Sequence, residues 1–170
     1  ANIPVVVQGI EVESTTGVTV DNYVGMKALG NHLIEEHNVK DCVFIGGTSD
    51  NNDSNMRLHA LCDALTDHGY EFDDKNIVYA NWERNLVESY IIETYGKRKE
   101  KLPDAIVCAN DPMALYAILS LESIGYKVPS DVVVSGFDNL NIGRIFNPSV
   151  ASVVQRYREQ GKICADHALA

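Results

Sequence analysis

The run Asp104-Ala105-Ile106-Val107-Cys108-Ala109-Asn110-Asp111-Pro112-Met113-Ala114-Leu115 takes an apolar, β-type stretch directly into a helix start. Ile106, Val107 and Cys108 read as a buried strand. Asp111 can cap the orphan N–H groups of the helix that follows, and Pro112 is pre-set for its first position. The polar corner Asn110-Asp111 therefore lies at the carboxyl end of a strand, and in open parallel α/β sheets that edge is where ligands bind. Locally, a helix cap is the favoured reading of Asp111 and a recognition residue the lesser one, since caps are far commoner than sites.

The same alternation runs along the rest of the chain. Ile3 to Val7 is a β-branched strand, Gly9 to Gly17 a polar loop, and Val18 to Val20 a second, short strand. Asp21 or Asn22 then caps a helix running to about His37, with Met26, Leu29, Leu33 and Ile34 at helical spacing and Asn38 as a left-handed terminator. Cys42 to Ile45 is a strand ending in Gly46-Gly47, and a helix follows from about Asn55 to His68, stopped by Gly69. Asn76 to Ala80 is a strand ending at Asn81-Trp82, and Glu83 to Tyr95 a helix. After the central corner come a helix from Pro112 to Ser123, a strand at Val132 to Ser135 leading into Gly136-Phe137-Asp138-Asn139, a strand from Ala151 to Gln155, and a helix from about Arg158. This order, with short connections, predicts an α/β fold: a doubly wound parallel sheet with helices on both faces.

The 170 residues suffice for one core, and the net charge of -10 repels a phosphate backbone. Lys97-Arg98-Lys99-Glu100-Lys101 is the basic cluster, and it falls in a helix-to-strand loop. Direct contact with nucleic acid by this chain is not expected. No apolar run approaches the roughly 18 residues of a membrane span, and no signal-peptide pattern is visible. Cys42, Cys62, Cys108 and Cys164 have neither zinc-pair nor disulfide-framework spacing and read as buried thiols of a reducing, cytoplasmic setting. No residue set nominates catalysis, a metal or a cofactor. His32 and His37 are five apart and do not share a helical face, and Gly46-Gly47 is not followed by the Lys-Ser/Thr of a phosphate loop.

Taken in order, Asp21-Asn22-x-x-Gly25, Gly46-Gly47, Arg57, Asn81-Trp82, Ala109-Asn110-Asp111-Pro112-Met113-Ala114, Val128-Pro129-x-Asp131-Val132, Gly136-Phe137-Asp138-Asn139, Pro148 and Gln155 resemble the effector-binding domains of the lac-repressor and gal-repressor family of transcriptional regulators. The resemblance implies the periplasmic-binding-protein-like fold, two α/β lobes around a small-molecule cleft. It makes residues 1–170 the carboxy-terminal lobe plus hinge strands, with 1–8 and 151–170 as hinge or other-lobe segments. The DNA-binding head and most of the first lobe then lie outside this chain.

It also implies a function: sensing a sugar or nucleobase-like effector by lobe closure. Ligand contacts fall at Arg57, Trp82, Asn110, Asp138 and Gln155. Trp82 supplies a platform, Arg57 a fork of donors, Asp138 an acceptor, and the two amides both donors and acceptors. Gln8 stands where relatives often place an acidic contact. The resemblance further implies a homodimer through Met113–Leu121 and Ile142–Phe146, with Leu115, Ile118, Ile145 and Phe146 as an exposed patch, and DNA contact only through a head domain. The same sensor fused to a diguanylate cyclase or histidine kinase, a transporter's solute-binding protein, and a flavodoxin-like enzyme are the competing readings.

Overall fold

Residues 4–10, 12–98 and 100–169 are described by the computed structural model, and among them seven strands and six α-helices fall into two compact units. The first unit takes in Ala1–Asp21 and Gln155–Ala170, the second Asn22–Val154. In the first, β1 (Val6–Gln8) pairs in parallel with β2 (Thr16–Val18), and α6 (Tyr157–Leu169) packs on both. Gln8 Nε2 donates to Gln160 Oε1 at 3.2 Å, so the glutamine that stands where relatives often place an acidic contact is engaged with α6.

The second unit carries α1 (Asn22–His37), β3 (Cys42–Gly46), α2 (Asn52–Asp67), β4 (Ile77–Tyr79), α3 (Arg84–Tyr95), β5 (Ala105–Cys108), α4 (Asp111–Ser123), β6 (Val133–Asp138), α5 (Asn141–Ile145) and β7 (Ala151–Val154). Its five strands are parallel, in the order β4-β3-β5-β6-β7. The chain steps from β3 outward to β4, returns past β3 to β5, and continues to β6 and β7. Right-handed crossovers turn that reversal into helices on opposite faces. Accordingly α1 packs with α2, and α3 with α4. The reversal point lies between β3 and β5, so the loops leaving those two strands diverge and open a crevice at the carboxyl edge.

Both central strands are buried along their whole length, which is why they read as unbroken apolar runs rather than alternating ones. Phe44, Ile45, Ile106, Val107 and Phe137 are fully buried, and each side chain of this size contributes roughly 1.5–3 kcal/mol on burial. Helix ends follow the local signals, with Asn38 at φ 55°, Gly69 at φ 78° and Gly125 at φ 91°.

Several expectations shift. β2 sits at Thr16–Val18, two residues before the apolar Val18-Thr19-Val20, because pairing with β1 and the Gly9 N–H to Val18 carbonyl bond of 3.0 Å set its register. The strand expected at Ile3–Val7 begins in residues outside those described. α2 starts three residues early, since Asn51 caps it by accepting from the Ser54 N–H at 2.8 Å. The five-residue α5 has no sequence signal. Leu115 and Ile118 belong to the core face of α4 instead of an exposed patch, whereas Ile142 and Ile145 are exposed. Cys42 and Cys108 are buried and their thiols are pushed up by burial. Cys62 is only half-buried, with its thiol pushed up to about 11, mainly by burial, and Cys164 is half-buried too. Among the described residues no helix is long and apolar enough to cross a membrane.

Candidate functional site

Each strand of the large sheet delivers a loop to the carboxyl edge. Across β4, β3, β5 and β6 these loops carry Asn81-Trp82, Gly46-Gly47, Ala109-Asn110-Asp111 and Asp138-Asn139. At roughly 4.8 Å per strand the row spans about 14 Å, the size of a small polar molecule. Arg57, on the second turn of α2, enters the same edge because α2 begins there.

Arg57 is buried and held on four sides. Its Nε donates to Asn22 Oδ1 at 2.8 Å and its Nη1 to the Ala109 carbonyl at 2.6 Å. Nη1 also stands 3.9 Å from Asp138 Oδ1, and the guanidinium lies over the Phe137 ring, 3.8 Å from its centroid. A buried cation needs this degree of compensation, since taking it out of water costs several kcal/mol. Arg57 therefore joins the starts of α1 and α2 to the ends of β5 and β6, a more elaborate role than a surface ion pair.

The β5–α4 corner corrects the assignment of its two residues. Asn110, not Asp111, is the helix cap: its Oδ1 accepts from the Met113 N–H at 3.0 Å. Asp111 is fully buried and turned toward β6 and β7. Its Oδ2 accepts from the Leu140 N–H at 2.6 Å, and its Oδ1 accepts from the Ser152 hydroxyl at 2.6 Å. Ser152 Oγ in turn accepts from the Asn139 N–H at 2.9 Å. Burial pushes the Asp111 carboxyl above its ordinary value, and the two hydrogen bonds oppose that rise.

Trp82 is half-exposed and its indole sits close against Gly47, just past the end of β3. A Cβ built on Gly47 would come 2.0 Å from its Cζ2, so only glycine there lets the indole sit where it does. Asn81 and Trp82 have φ of 50° and 64°, and Asp138 and Asn139 have 100° and 50°. These are costly conformations for residues with a Cβ, of order 1–3 kcal/mol each, and they cluster where surrounding structure holds side chains for a task.

Of the five residues expected to contact ligand, Arg57 and Asp138 are brought together, Asn110 adjoins the carbonyl that Arg57 holds, and Trp82 stands on the same edge. Gln155 belongs to the first unit, half-buried, with its carbonyl accepting from the Tyr157 N–H at 2.9 Å. Sequence reasoning did not foresee the parts played by Asn22, Phe137 and Ser152. Asn22 and Phe137 stand inside the ordered motif, but Ser152 carries no local signal. Among the described residues no cluster of three or more His, Cys, Asp or Glu could hold a metal ion.

Residues 31–170 match the family model of the periplasmic binding protein-like domain. The HTH-type transcriptional repressor PurR of Proteus mirabilis is 28% identical over 165 residues, covering 95% of this chain and 48% of that protein. The crystal structure of the Escherichia coli transcriptional repressor ascG superposes with a TM-score of 0.83 at 25% identity, over 98% of this chain and 59% of that one. A transcriptional regulator CelR in complex with cellobiose gives a TM-score of 0.80 at 27% identity, over 96% and 52%. The chain spans about half the length of the curated relatives it matches.

Proposed function

The chain belongs to the periplasmic binding protein-like domain family, and from that premise we propose that it is the larger part of an effector-binding sensor in a transcriptional regulator. The effector is a small polar ring compound, a sugar or a nucleobase-like molecule, taken up at the carboxyl edge of the five-stranded sheet. Half-exposed Trp82 offers its ring as a platform, Asp138 accepts from hydroxyl or N–H groups, Asn110 donates and accepts, and Arg57 orients Asp138. The observation that carries this reading is the Arg57–Asp138–Ala109 convergence beside four left-handed, non-glycine residues on one edge. The cellobiose bound by the CelR relative makes a neutral sugar the first candidate.

Binding drives the output only if the ligand prefers one lobe arrangement over another. DNA is contacted through a separate head in the cytoplasm, and α4 with α5 supplies a homodimer face on which Leu119, Ile142 and Ile145 are exposed. Calorimetry of the two-lobed protein against cellobiose, D-glucose, D-ribose and adenine tests the binding. One of these binds, and Trp82→Ala and Asp138→Ala each weaken it at least about 30-fold, as for anchoring residues of an interface. Undiminished affinity in both variants would overturn the assignment. Sedimentation that shows a monomer at all concentrations would remove the dimer.

A further inference from the structure

We propose that Asp111 is a positioning residue of this site: it fixes where the Asp138 carboxylate stands and ties that position to α5. The proposal rests on the reading of the carboxyl edge as a binding site and extends it to a residue that does not face the ligand.

Three observations carry it. First, both Asp111 oxygens accept. The Leu140 N–H can only donate, and the Ser152 hydroxyl, already accepting from the Asn139 N–H, has its own proton left for Asp111. The group is thus bound as a carboxylate, at the first turn of α4 where the helix N-terminus favours negative charge. Second, its two donors come from segments distant in sequence that bracket the strained pair. Asp138 and Asn139, at φ of 100° and 50°, are followed at once by Leu140, and Asn139 is pinned by Ser152 of β7. Asp and Asn accept a left-handed backbone more readily than other residues with a Cβ, and the ties from Asp111 to Leu140 and through Ser152 to Asn139 hold this pair in it. Third, the space around the carboxylate is closed by glycine. A Cβ on Gly136 would stand 2.5 Å from Asp111 Oδ1 and one on Gly143 3.4 Å from Oδ2.

The consequence is a short mechanical link. Asp138 faces Arg57 on one side. Two residues on, Leu140 hangs from Asp111 and precedes α5, whose Gly143 backs on the same carboxylate and whose Ile142 and Ile145 are exposed. A ligand that moves Asp138 pulls on the start of α5 through one buried anion.

Amide exchange and ¹H–¹⁵N spectra of the chain without ligand test this separately from the binding reading. In Asp111→Ala the Leu140 and Asn139 amides exchange at least about tenfold faster, as expected for loss of hydrogen bonds to a charged acceptor. The Arg57 Nε–H resonance shifts and the Ile142 and Ile145 amides move with it. Leu65→Ala, a destabilising core change remote from the edge, shifts none of these selectively. Ser152→Ala releases Asn139 more than Leu140, and Asp111→Asn partly restores Leu140; both serve if Asp111→Ala does not fold. Uniformly faster exchange at all amides, with the Arg57 Nε–H unmoved in every variant, would show Asp111 to be merely structural and overturn the proposal. Failure of cellobiose and the other probes to bind would count against the function and leave this result standing.

Discussion

The two edges of the five-stranded sheet are built from the same kinds of residue and behave differently. At the amino edge carboxylates serve nearby backbone on the surface. Asp104 Oδ2 accepts from the Lys40 and Asp41 N–H groups, Asp131 from the Lys127 N–H, and Asp73 from the Lys75 N–H, all exposed. A groove of about 580 Å³ there is lined by side chains of both signs, among them Asp41, Glu71, Lys75 and Glu100. At the carboxyl edge Asp111 and Arg57 are buried and the hydrogen-bond partners of their side chains lie 29 to 52 residues away. Backbone strain divides the same way. Asn38 and Lys97 are left-handed because they terminate helices, whereas Asn81, Trp82, Asp138 and Asn139 are left-handed at strand ends, with no helix to finish. Composition does not separate a solvated turn from a candidate site here; burial with distant partners, and strain without a local cause, do.

The contrast can be broken most forcefully at Arg57. Replacing it with Met leaves Asn22 and Asp138 without their buried partner, and urea denaturation should show a loss of about 3–5 kcal/mol, a magnitude no single exposed carboxylate of the amino edge will match. Gly136→Ala comes next. The new methyl meets Asp111 Oδ1 and its Cα at 2.5 and 3.0 Å, and overpacking of this kind costs about 1–3 kcal/mol in the same assay. At the other edge a left-handed residue can be relieved without harm: Lys97→Gly, at φ 57°, should gain up to about 0.5 kcal/mol and leave ligand affinity unchanged.

The smallest effect concerns pH. His68 ends α2 on the amino side, with Nδ1 2.8 Å from the Ala64 carbonyl and Nε2 3.2 Å from Glu35 Oε1. Both partners are acceptors, so the imidazolium satisfies both, and the Ala64 carbonyl first, then Glu35, holds its pKa above the ordinary histidine value. A raised folded pKa means that its support is complete below the unfolded value, near 6.5, and disappears as pH rises through the folded one. Melting temperatures should fall slightly across that window in the native chain and not in His68→Gln.

Much of this fold was legible because its signals are local. The unbroken apolar runs of β3 and β5, the terminators Asn38, Gly69 and Gly125, and Pro112 at a helix start each act through the residue's own backbone or its immediate neighbours. The candidate rim was legible only as an ordered set of residues, since Trp82, Asn110 and Asp138 individually resemble core, cap and turn residues. What escaped was decided at a distance. Asp111 looked like the cap and Asn110 did the capping, because whichever side chain is left over at that corner turns to the donors that β6 and β7 bring. Leu115 and Ile118 looked available to a partner, and the packing of α4 into the fold buries both.

By itself, then, the sequence determined that strands and helices alternate, where most helices stop, and which loops meet at one edge, because periodicity, capping and positive-φ preferences are properties of short stretches. Only the tertiary structure decided that Arg57 is caged, that Asp111 is a buried tie and that β1 and β2 form a sheet of their own. Those outcomes depend on which distant donors, acceptors and strand edges are packed within hydrogen-bonding reach, and no local pattern encodes that.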